Sequence, residues 1–165
     1  MLRHDEPIDP MAAAEIRVLS DNDSGAVARA SRSWANALPA WLDLAHEGSS
    51  VFLLAVVDGS PLGVAELRPG RIAEIRNVGV LPAARGRGIG TDLMHAAEKR
   101  CAPATAVRLR VGLDNPGARR LYERLGYAGT GELQTTTYEF RDADGHLRSA
   151  TETDEWMEKR LAGLL

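Results

Sequence analysis

The chain has 165 residues, of which 44% are hydrophobic and 26% charged, and this suits one globular domain whose core needs neither disulfides nor metal. A net charge of −3 without any basic block argues against a nucleic-acid partner. The single cysteine, Cys101, excludes an intrachain disulfide, and no apolar run is long enough to span a bilayer. These features predict a cytoplasmic protein without a membrane partner. Cys101 ends an apolar helix face and is interpreted as a buried, inert thiol.

The start of the chain predicts a tail followed by a strand and helices. Residues 1–13 contain two prolines and are interpreted as a flexible tail, which leaves residues 14–165 for the domain. Residues 15–19 predict a first strand, and a cluster of helix-capping residues follows it. Apolar residues then recur at helical spacing over residues 24–36 and again over residues 40–46, which predicts two helices.

Two apolar runs in the middle of the chain predict a β-hairpin. They cover residues 51–57 and 62–67 and are joined by a turn that begins Asp58-Gly59, a strong hairpin signal. A longer run, residues 72–81, predicts the next strand.

The apolar positions of that longer run change parity, because Ile75 is out of phase with Val78 and Val80. One extra residue near Asn77 would bring Ile75 and Val78 into phase, so we expect a β-bulge there. A bulge bends the strand and unpairs backbone groups, which can then bind a ligand.

A glycine-rich turn follows this strand and opens an apolar-periodic segment, residues 90–101, that predicts a helix. Glycine lets backbone approach a ligand closely, and the first turn of a helix favours a phosphate. A Walker-type loop would need a lysine that is missing here, and the spacing does not fit a dinucleotide fingerprint. The turn consists of Arg85, Gly86, Arg87, Gly88, Ile89 and Gly90.

The second half of the chain predicts strand, helix and two further strands. Residues 107–113 alternate apolar and polar, so strand, helix and strand form a βαβ unit with parallel strands. Asn115 and Gly126 mark the two ends of the next helix. Strands after Tyr127 are joined by a turn at residues 142–145. The order predicts an α/β domain with a mixed sheet.

Three segments in this order resemble the core of the GNAT N-acetyltransferases. They are Glu74-Ile75 before Val78-Gly79-Val80-Leu81-Pro82, then Arg85-x-x-Gly88-x-Gly90, then Asn115-x-x-Ala118-x-x-Leu121-Tyr122-x-x-x-Gly126-Tyr127. The resemblance covers residues 72–127. It implies the GNAT fold, in which helices flank a mixed central β-sheet with a splayed pair of parallel strands, here residues 72–81 and 107–113.

The resemblance also implies acetyl-CoA as cosubstrate. The pantetheine arm would pair with the backbone of Val78 and Val80, on either side of Gly79, and Asn115 would lie near it. The N–H groups of the glycine-rich turn, from Arg85 to Thr91, would hold the pyrophosphate. The Val80 N–H would stabilise the oxyanion.

For the chemistry, the resemblance implies that Tyr122 protonates the departing thiolate and that Glu74 is the base that deprotonates the amine. A core tyrosine and a strand-edge carboxylate are the structural alternatives. Glu66 and a chain of waters compete with Glu74 for the role of base. The four histidines lack metal-ligand spacing, and no metal is expected.

The expected activity is transfer of an acetyl group from acetyl-CoA to an amine in a ternary complex. A small-molecule amine is preferred as acceptor, and a protein N-terminus or lysine is the alternative. A non-catalytic acyl-CoA-binding module is a third interpretation, and a homodimer is one option for the assembly. Residues 24–48 and 134–148 would form the acceptor pocket. Trp34 and Trp41 are interpreted as core residues, with a place in that pocket as the alternative for one of them.

Overall fold

The computed structural model describes residues 13–162, so all but the last residue of the predicted tail lies outside the described part. The chain divides into two compact units between Ala104 and Thr105, and each is described by itself below. The prediction of one domain over residues 14–165 stays a prediction.

The first unit contains an antiparallel sheet of four strands in the order β1-β2-β3-β4, with three α-helices. The tight turn between β2 and β3 is confirmed, because Asp58 and Gly59 both have positive φ, 49° and 77°, as a two-residue hairpin turn requires. The elements are β1 (Glu15–Val18), α1 (Ser24–Ala30), α2 (Arg32–His46), β2 (Val51–Val57), β3 (Ser60–Arg68), β4 (Ile72–Val80) and α3 (Ile89–Lys99).

The core of this unit lies against strands β2 and β3, whose side chains are almost all buried. Helices α1 and α2 contribute Val27, Trp34 and Trp41 to it, and the Trp41 ring stacks on Phe52 at 5.3 Å between centroids. Helix α3 packs close to β3 at Gly63, because a Cβ there would come within 2.9 Å of the side chains of Ile89 and Leu93. Glycine at this position therefore sets how closely the helix approaches the sheet.

The break between the first two helices is not where the sequence pattern placed it. The helices were expected over residues 24–36 and 40–46, but the chain leaves helical geometry at Ser31 (φ −155°, ψ 133°), and α2 runs through Pro39. The Ser31 hydroxyl caps α2 by accepting a hydrogen bond from the Trp34 N–H at 3.4 Å. Pro39 removes one backbone N–H from the helix, and the packing of α2 outweighs this loss.

The second unit contains three antiparallel strands with β7 between β5 and β6, and one α-helix. The helix ends follow the prediction: the Asn115 side chain accepts from the Ala118 N–H at 3.1 Å, and Gly126 takes φ +98° beyond the C-terminus. The elements are β5 (Ala106–Gly112), α4 (Pro116–Arg124), β6 (Ala128–Arg141) and β7 (Leu147–Arg160).

Strands β6 and β7 form a long hairpin closed by the predicted turn. Every residue of β6 is exposed, whereas Met157 of β7 is fully buried where β7 pairs with β5. The Asp142 side chain closes the turn by accepting from the N–H groups of Asp144 and His146. Among residues 13–162, no helix is both long and apolar enough to cross a membrane.

Candidate active site

The glycine-rich turn between β4 and α3 has a backbone that requires glycine. Gly86 and Gly88 have φ of +77° and +79°, and a Cβ at either position would meet no atom within 4 Å. Gly88 is the N-cap of α3 and has no side chain to cap the helix, so the N–H groups of Ile89, Gly90 and Thr91 have no acceptor inside the helix. Open space beside uncapped N–H groups, at the positive end of a helix dipole, suits a phosphate.

The predicted bulge in β4 is confirmed. The pairing of β3 with β4 changes from Glu66 opposite Arg76 to Val64 opposite Gly79, so two residues of β4 face one residue of β3. One of the two is Asn77, whose φ is +49°. Asparagine adopts this left-handed conformation more readily than most residues.

Beyond the bulge, the backbone of Val80 is turned away from β3. The Leu81 N–H donates to the Leu62 carbonyl at 2.9 Å, so Leu62 and Leu81 form a hydrogen-bonded pair. Hydrogen-bonded and non-hydrogen-bonded pairs alternate in an antiparallel ladder, so the next pair, Gly63 and Val80, is non-hydrogen-bonded. The Val80 carbonyl accepts a hydrogen bond from the Arg85 Nε at 3.3 Å, which ties the glycine-rich turn to the strand.

Glu66 is buried within the unit, with 1% of its surface exposed, and its carboxylate is saturated with donors. Oε1 accepts from Ser50 Oγ at 2.7 Å and from Arg68 Nε at 3.0 Å, and Oε2 accepts from Asn77 Nδ2 at 2.7 Å. Burial raises the pKa of Glu66, but the three hydrogen bonds and the charge of Arg68 outweigh it, so the pKa lies below its usual value. Such a carboxylate is a poor base.

Glu74 has a different environment. It lies in the straight part of β4 before the bulge, and its side chain is 26% exposed. Its Oε1 lies 3.5 Å from Arg76 Nε, two residues along the same strand. This carboxylate is partly open to solvent and has one long ionic contact, so a substrate or a water molecule can reach it, whereas Glu66 is buried.

Tyr122 lies on α4 in the second unit, with its ring buried and packed edge-on against Tyr127 at 6.2 Å between centroids. Burial raises the pKa of Tyr122, which keeps the phenol protonated at neutral pH. Within the described part of the chain, its hydroxyl has no hydrogen-bond partner. A protonated, unpartnered phenol can serve as a proton donor.

Asn115 caps α4 through its side-chain oxygen, as described above. This cap is a sufficient structural reason for an asparagine at this position.

Cys101 is buried, and its Sγ donates to the Ala97 carbonyl at 3.2 Å. Burial, and then the charge of Glu98, raise the pKa of Cys101 to about 11. A thiol with this pKa is a poor nucleophile at neutral pH.

The two tryptophans of α2 differ in how their polar atoms are placed. Trp41 stacks within the core, as interpreted from the sequence. Trp34 is also buried, but its Nε1 would lie 3.8 Å from a Cβ placed on Gly79, next to the bulge. Among the residues from 13 to 162, Trp34 Nε1 has no hydrogen-bond acceptor. If one tryptophan contributes to an acceptor pocket, this position favours Trp34.

Two groups of polar side chains in the structure were not predicted from the sequence. Sequence reasoning treated Glu66 only as a competing base, although a single carboxylate within the apolar run of β3 is a signal for a buried polar network. It gave His146 no role, yet ligand atoms of Asp142, Asp144 and His146 lie within 4.8 Å of one another in the β6–β7 turn. Asp142 Oδ2 in this cluster already accepts from Arg148 Nε at 2.8 Å, and we assign no metal to it.

The sequence of this chain matches a known protein family over the part that contains most of the candidate site residues. Residues 16–127 match the sequence model of the acetyltransferase (GNAT) family, which is more than half of the chain. The matched part begins in β1 and ends directly after α4, so it includes β4, the glycine-rich turn and Tyr122.

Curated relatives match part of the chain, among them the following two. An uncharacterised N-acetyltransferase of Methanocaldococcus jannaschii is 34% identical over 108 residues, which cover 58% of this chain and 46% of the relative. A mycothiol acetyltransferase of Nocardia farcinica is 38% identical over 94 residues, which cover 56% of this chain and 30% of the relative. The chain thus spans less than half the length of these relatives.

Solved structures match nearly the whole chain. Ard1 from Thermoplasma volcanium has a TM-score of 0.67 at 25% identity and covers 91% of this chain and 99% of its own. Spermidine N-acetyltransferase from Vibrio cholerae, solved in complex with CoA and spermine, has a TM-score of 0.65 at 16% identity, with 90% and 95% covered. These likenesses confirm the α/β fold class predicted from the sequence.

Proposed function

Because the chain belongs to the acetyltransferase (GNAT) family, we propose that it transfers an acetyl group from acetyl-CoA to an amine, directly, in a ternary complex. The observation that carries the proposal is the glycine-rich turn. Its two glycines with positive φ leave open space next to the uncapped N–H groups of α3. A diphosphate is the part of CoA that such a site would hold.

The proposed contacts to the cosubstrate involve the glycine-rich turn, strand β4 and Asn115. The N–H groups from Arg85 to Thr91 would hold the diphosphate. The backbone of β4 from Val78 to Val80 would pair with the pantetheine arm, because the bulge turns the polar groups of Val80 away from β3. We propose that Asn115 contributes near this arm while it caps α4.

The proposed reaction needs two proton movements. The neutral amine nitrogen attacks the thioester carbonyl carbon, a C–N bond forms and the C–S bond breaks. The Val80 N–H would donate to the carbonyl oxygen as it gains negative charge. Tyr122 would give its proton to the departing sulfur, and the surplus proton of the amine would pass to a base, so that the products are an amide and CoA with a free thiol.

Glu74 is our choice for that base, acting directly or through water. The partly open carboxylate and its single ionic contact at 3.5 Å support this choice. Glu66 is set aside as base because it is buried, saturated with donors and has a lowered pKa.

The acceptor is proposed to be a small-molecule amine, with a protein N-terminus or a lysine side chain as the alternative. The names of a curated relative, mycothiol acetyltransferase, and of a structural neighbour crystallised with spermine support a small molecule. Residues 24–48 would contribute to the pocket, and Trp34 would present its N–H there.

Release of free thiol from acetyl-CoA in the presence of a panel of amines and peptides tests the activity. Acceptor-dependent thiol release is expected with at least one member. Tyr122→Phe should lower kcat about 10²-fold while the affinity for acetyl-CoA, measured by calorimetry, is retained. Tyr127→Phe is the matched control, because it removes a hydroxyl from the ring that packs against Tyr122. Acetyl-CoA binding without thiol release for any member would favour a non-catalytic binding module.

Binding at the turn is tested separately with Gly88→Ala and Gly59→Ala. Both glycines have φ near +78°, and a Cβ at either position would meet no atom within 4 Å, so the two changes impose similar strain of about 1–2 kcal/mol. Only Gly88→Ala should weaken CoA binding, by tenfold or more. Equal affinities of the two variants for CoA would contradict the assignment of the turn.

A further inference from the structure

The carboxylate of Glu66 contacts the residue that creates the bulge in β4. Its Oε2 accepts from Asn77 Nδ2 at 2.7 Å, while Oε1 is held by Ser50, directly before β2, and by Arg68 on β3. The bulge residue is thereby tied to a fully buried group that two further donors hold in place, one directly before β2 and one on β3 itself. Asn77 pairs its left-handed backbone, φ +49°, with a side chain that can reach this carboxylate.

The bulge decides which way the Val80 backbone points. With the bulge, Val80 lies opposite Gly63 in a non-hydrogen-bonded pair and its N–H is directed away from β3. Without the extra residue, the register of Glu66 opposite Arg76 would continue, and Val80 would face Leu62. Leu62 directs its own polar groups towards β4. The Val80 N–H would then be consumed in the β3–β4 ladder.

We propose that the Glu66–Asn77 hydrogen bond fixes the bulge and so positions the Val80 N–H for the thioester carbonyl oxygen. Glu66 and Asn77 are thus positioning residues that act through the backbone of β4 and touch neither substrate. The catalytic part of this inference rests on the proposed acetyl transfer, whereas the effect on strand register stands without it.

The polarity of the contact supports this role. Hydrogen bonds from three donors keep Glu66 ionised at neutral pH, and a hydrogen bond to a charged acceptor is stronger than one between neutral groups. Asn77 itself is exposed, but a carboxylate at position 77 would face the charge of the buried Glu66 carboxylate at hydrogen-bond distance. An amide at 66 and a carboxylate at 77 would restore the hydrogen bond with donor and acceptor exchanged. Exchanging the donor and the acceptor between positions 66 and 77 therefore tests the role of this hydrogen bond.

The test uses the variants Asn77→Asp, Glu66→Gln and the double variant Glu66→Gln/Asn77→Asp, at pH 8. Asparagine and aspartate both tolerate positive φ, so the change at 77 alters charge more than backbone preference. Asn22→Asp is the matched control, because it makes the same chemical change at an exposed position outside the proposed site. Urea unfolding shows which variants fold cooperatively.

Strand register is read by NMR through contacts between Hα atoms, which approach closely in non-hydrogen-bonded pairs. The wild type should show a contact between Gly63 and Val80. In Asn77→Asp this contact should weaken or be replaced by one between Gly63 and Gly79, the pair expected without the bulge. The double variant should recover the wild-type contact. This readout needs no acceptor and no turnover.

Kinetics complete the test. Asn77→Asp should lower kcat for thiol release at least tenfold. The affinity for CoA should fall by a smaller factor, because the diphosphate binds at the glycine-rich turn and only the pantetheine arm contacts β4. The double variant should recover kcat to within about threefold of Glu66→Gln, and Asn22→Asp should match the wild type. The inference is overturned if Asn77→Asp folds with an unchanged Gly63–Val80 contact, or if the double variant folds without recovering it.

If the wild type releases no thiol but the variants change strand register as described, the proposed function is wrong and the role of Glu66 and Asn77 in fixing the bulge is still supported. If the variants change strand register as described but kcat is unaltered in all of them, the link from the bulge to the Val80 N–H is wrong. The two failures are therefore separate.

Discussion

Glu66 on β3 and Glu74 on β4 are carboxylates in neighbouring strands of one sheet, and the structure gives them opposite surroundings. Glu66 is fully buried and accepts three hydrogen bonds. Glu74 is partly exposed and has one ionic contact at 3.5 Å. Each faces an arginine across the ladder, since Glu66 lies opposite Arg76 and Glu74 opposite Arg68.

The two environments suit different roles, one structural and one chemical. A buried carboxylate that is satisfied by several donors holds its proton weakly and orders the groups around it. A carboxylate that is partly open to water can change protonation state at little cost to the fold. We therefore propose a positioning role for Glu66 and proton transfer for Glu74, and four experiments test this division.

The largest effect is expected on stability. Glu66→Ala leaves the buried donor of Ser50 without an acceptor, removes the acceptor of Asn77 and empties a fully buried position, so it should lower the free energy of unfolding by about 3 kcal/mol. Urea unfolding measures this, and Glu74→Ala is the matched control, with a loss below about 0.5 kcal/mol. Equal losses for the two variants would contradict the division.

The next effect is on turnover. Glu74→Gln keeps the size of the side chain but removes its basicity, and should lower kcat about 10²-fold while the urea midpoint stays unchanged. The exposed glutamate of β1 supplies the control Glu15→Gln, which should behave as wild type. An undiminished kcat in Glu74→Gln would transfer the role of base to water.

The pH dependence of stability sharpens the assignment of Glu66. The folded-state pKa of Glu66 lies below the reference value of 4.5, so its stabilising contribution is complete above that value and is lost as the pH falls through the folded pKa. The difference in unfolding free energy between wild type and Glu66→Gln should stay constant from pH 8 to about pH 5.5 and shrink at more acidic pH. A difference that grows on acidification would mean that the sign of the pKa shift is wrong.

The smallest effect concerns the ionic contact of Glu74. Both partners are partly exposed, 26% for Glu74 and 28% for Arg76, and their atoms are 3.5 Å apart. A double-mutant cycle with Glu74→Ala and Arg76→Ala should give a coupling energy below about 0.5 kcal/mol. A coupling of several times this size would show that Glu74 is engaged structurally, and its use as base would then need revision.

The strands, the turns and the glycine-rich loop could be predicted from the amino-acid sequence, because these features depend on local signals. Asp58-Gly59 specifies its turn through backbone conformations that few residues adopt, and Asn115 and Gly126 set the ends of α4 in the same way. The bulge near Asn77 could also be predicted from the sequence, since one extra residue changes the parity of apolar positions along the strand.

The break between α1 and α2 and the roles of the two carboxylates depend instead on contacts between distant parts of the chain. Ser31 and Pro39 are both plausible helix boundaries in sequence, and packing of α2 against the sheet selects Ser31. Whether a glutamate is a base or an anchor depends on burial and on donors from other elements. Ser50 and Asn77 lie 16 and 11 residues from Glu66, and they reach it only because three strands lie side by side.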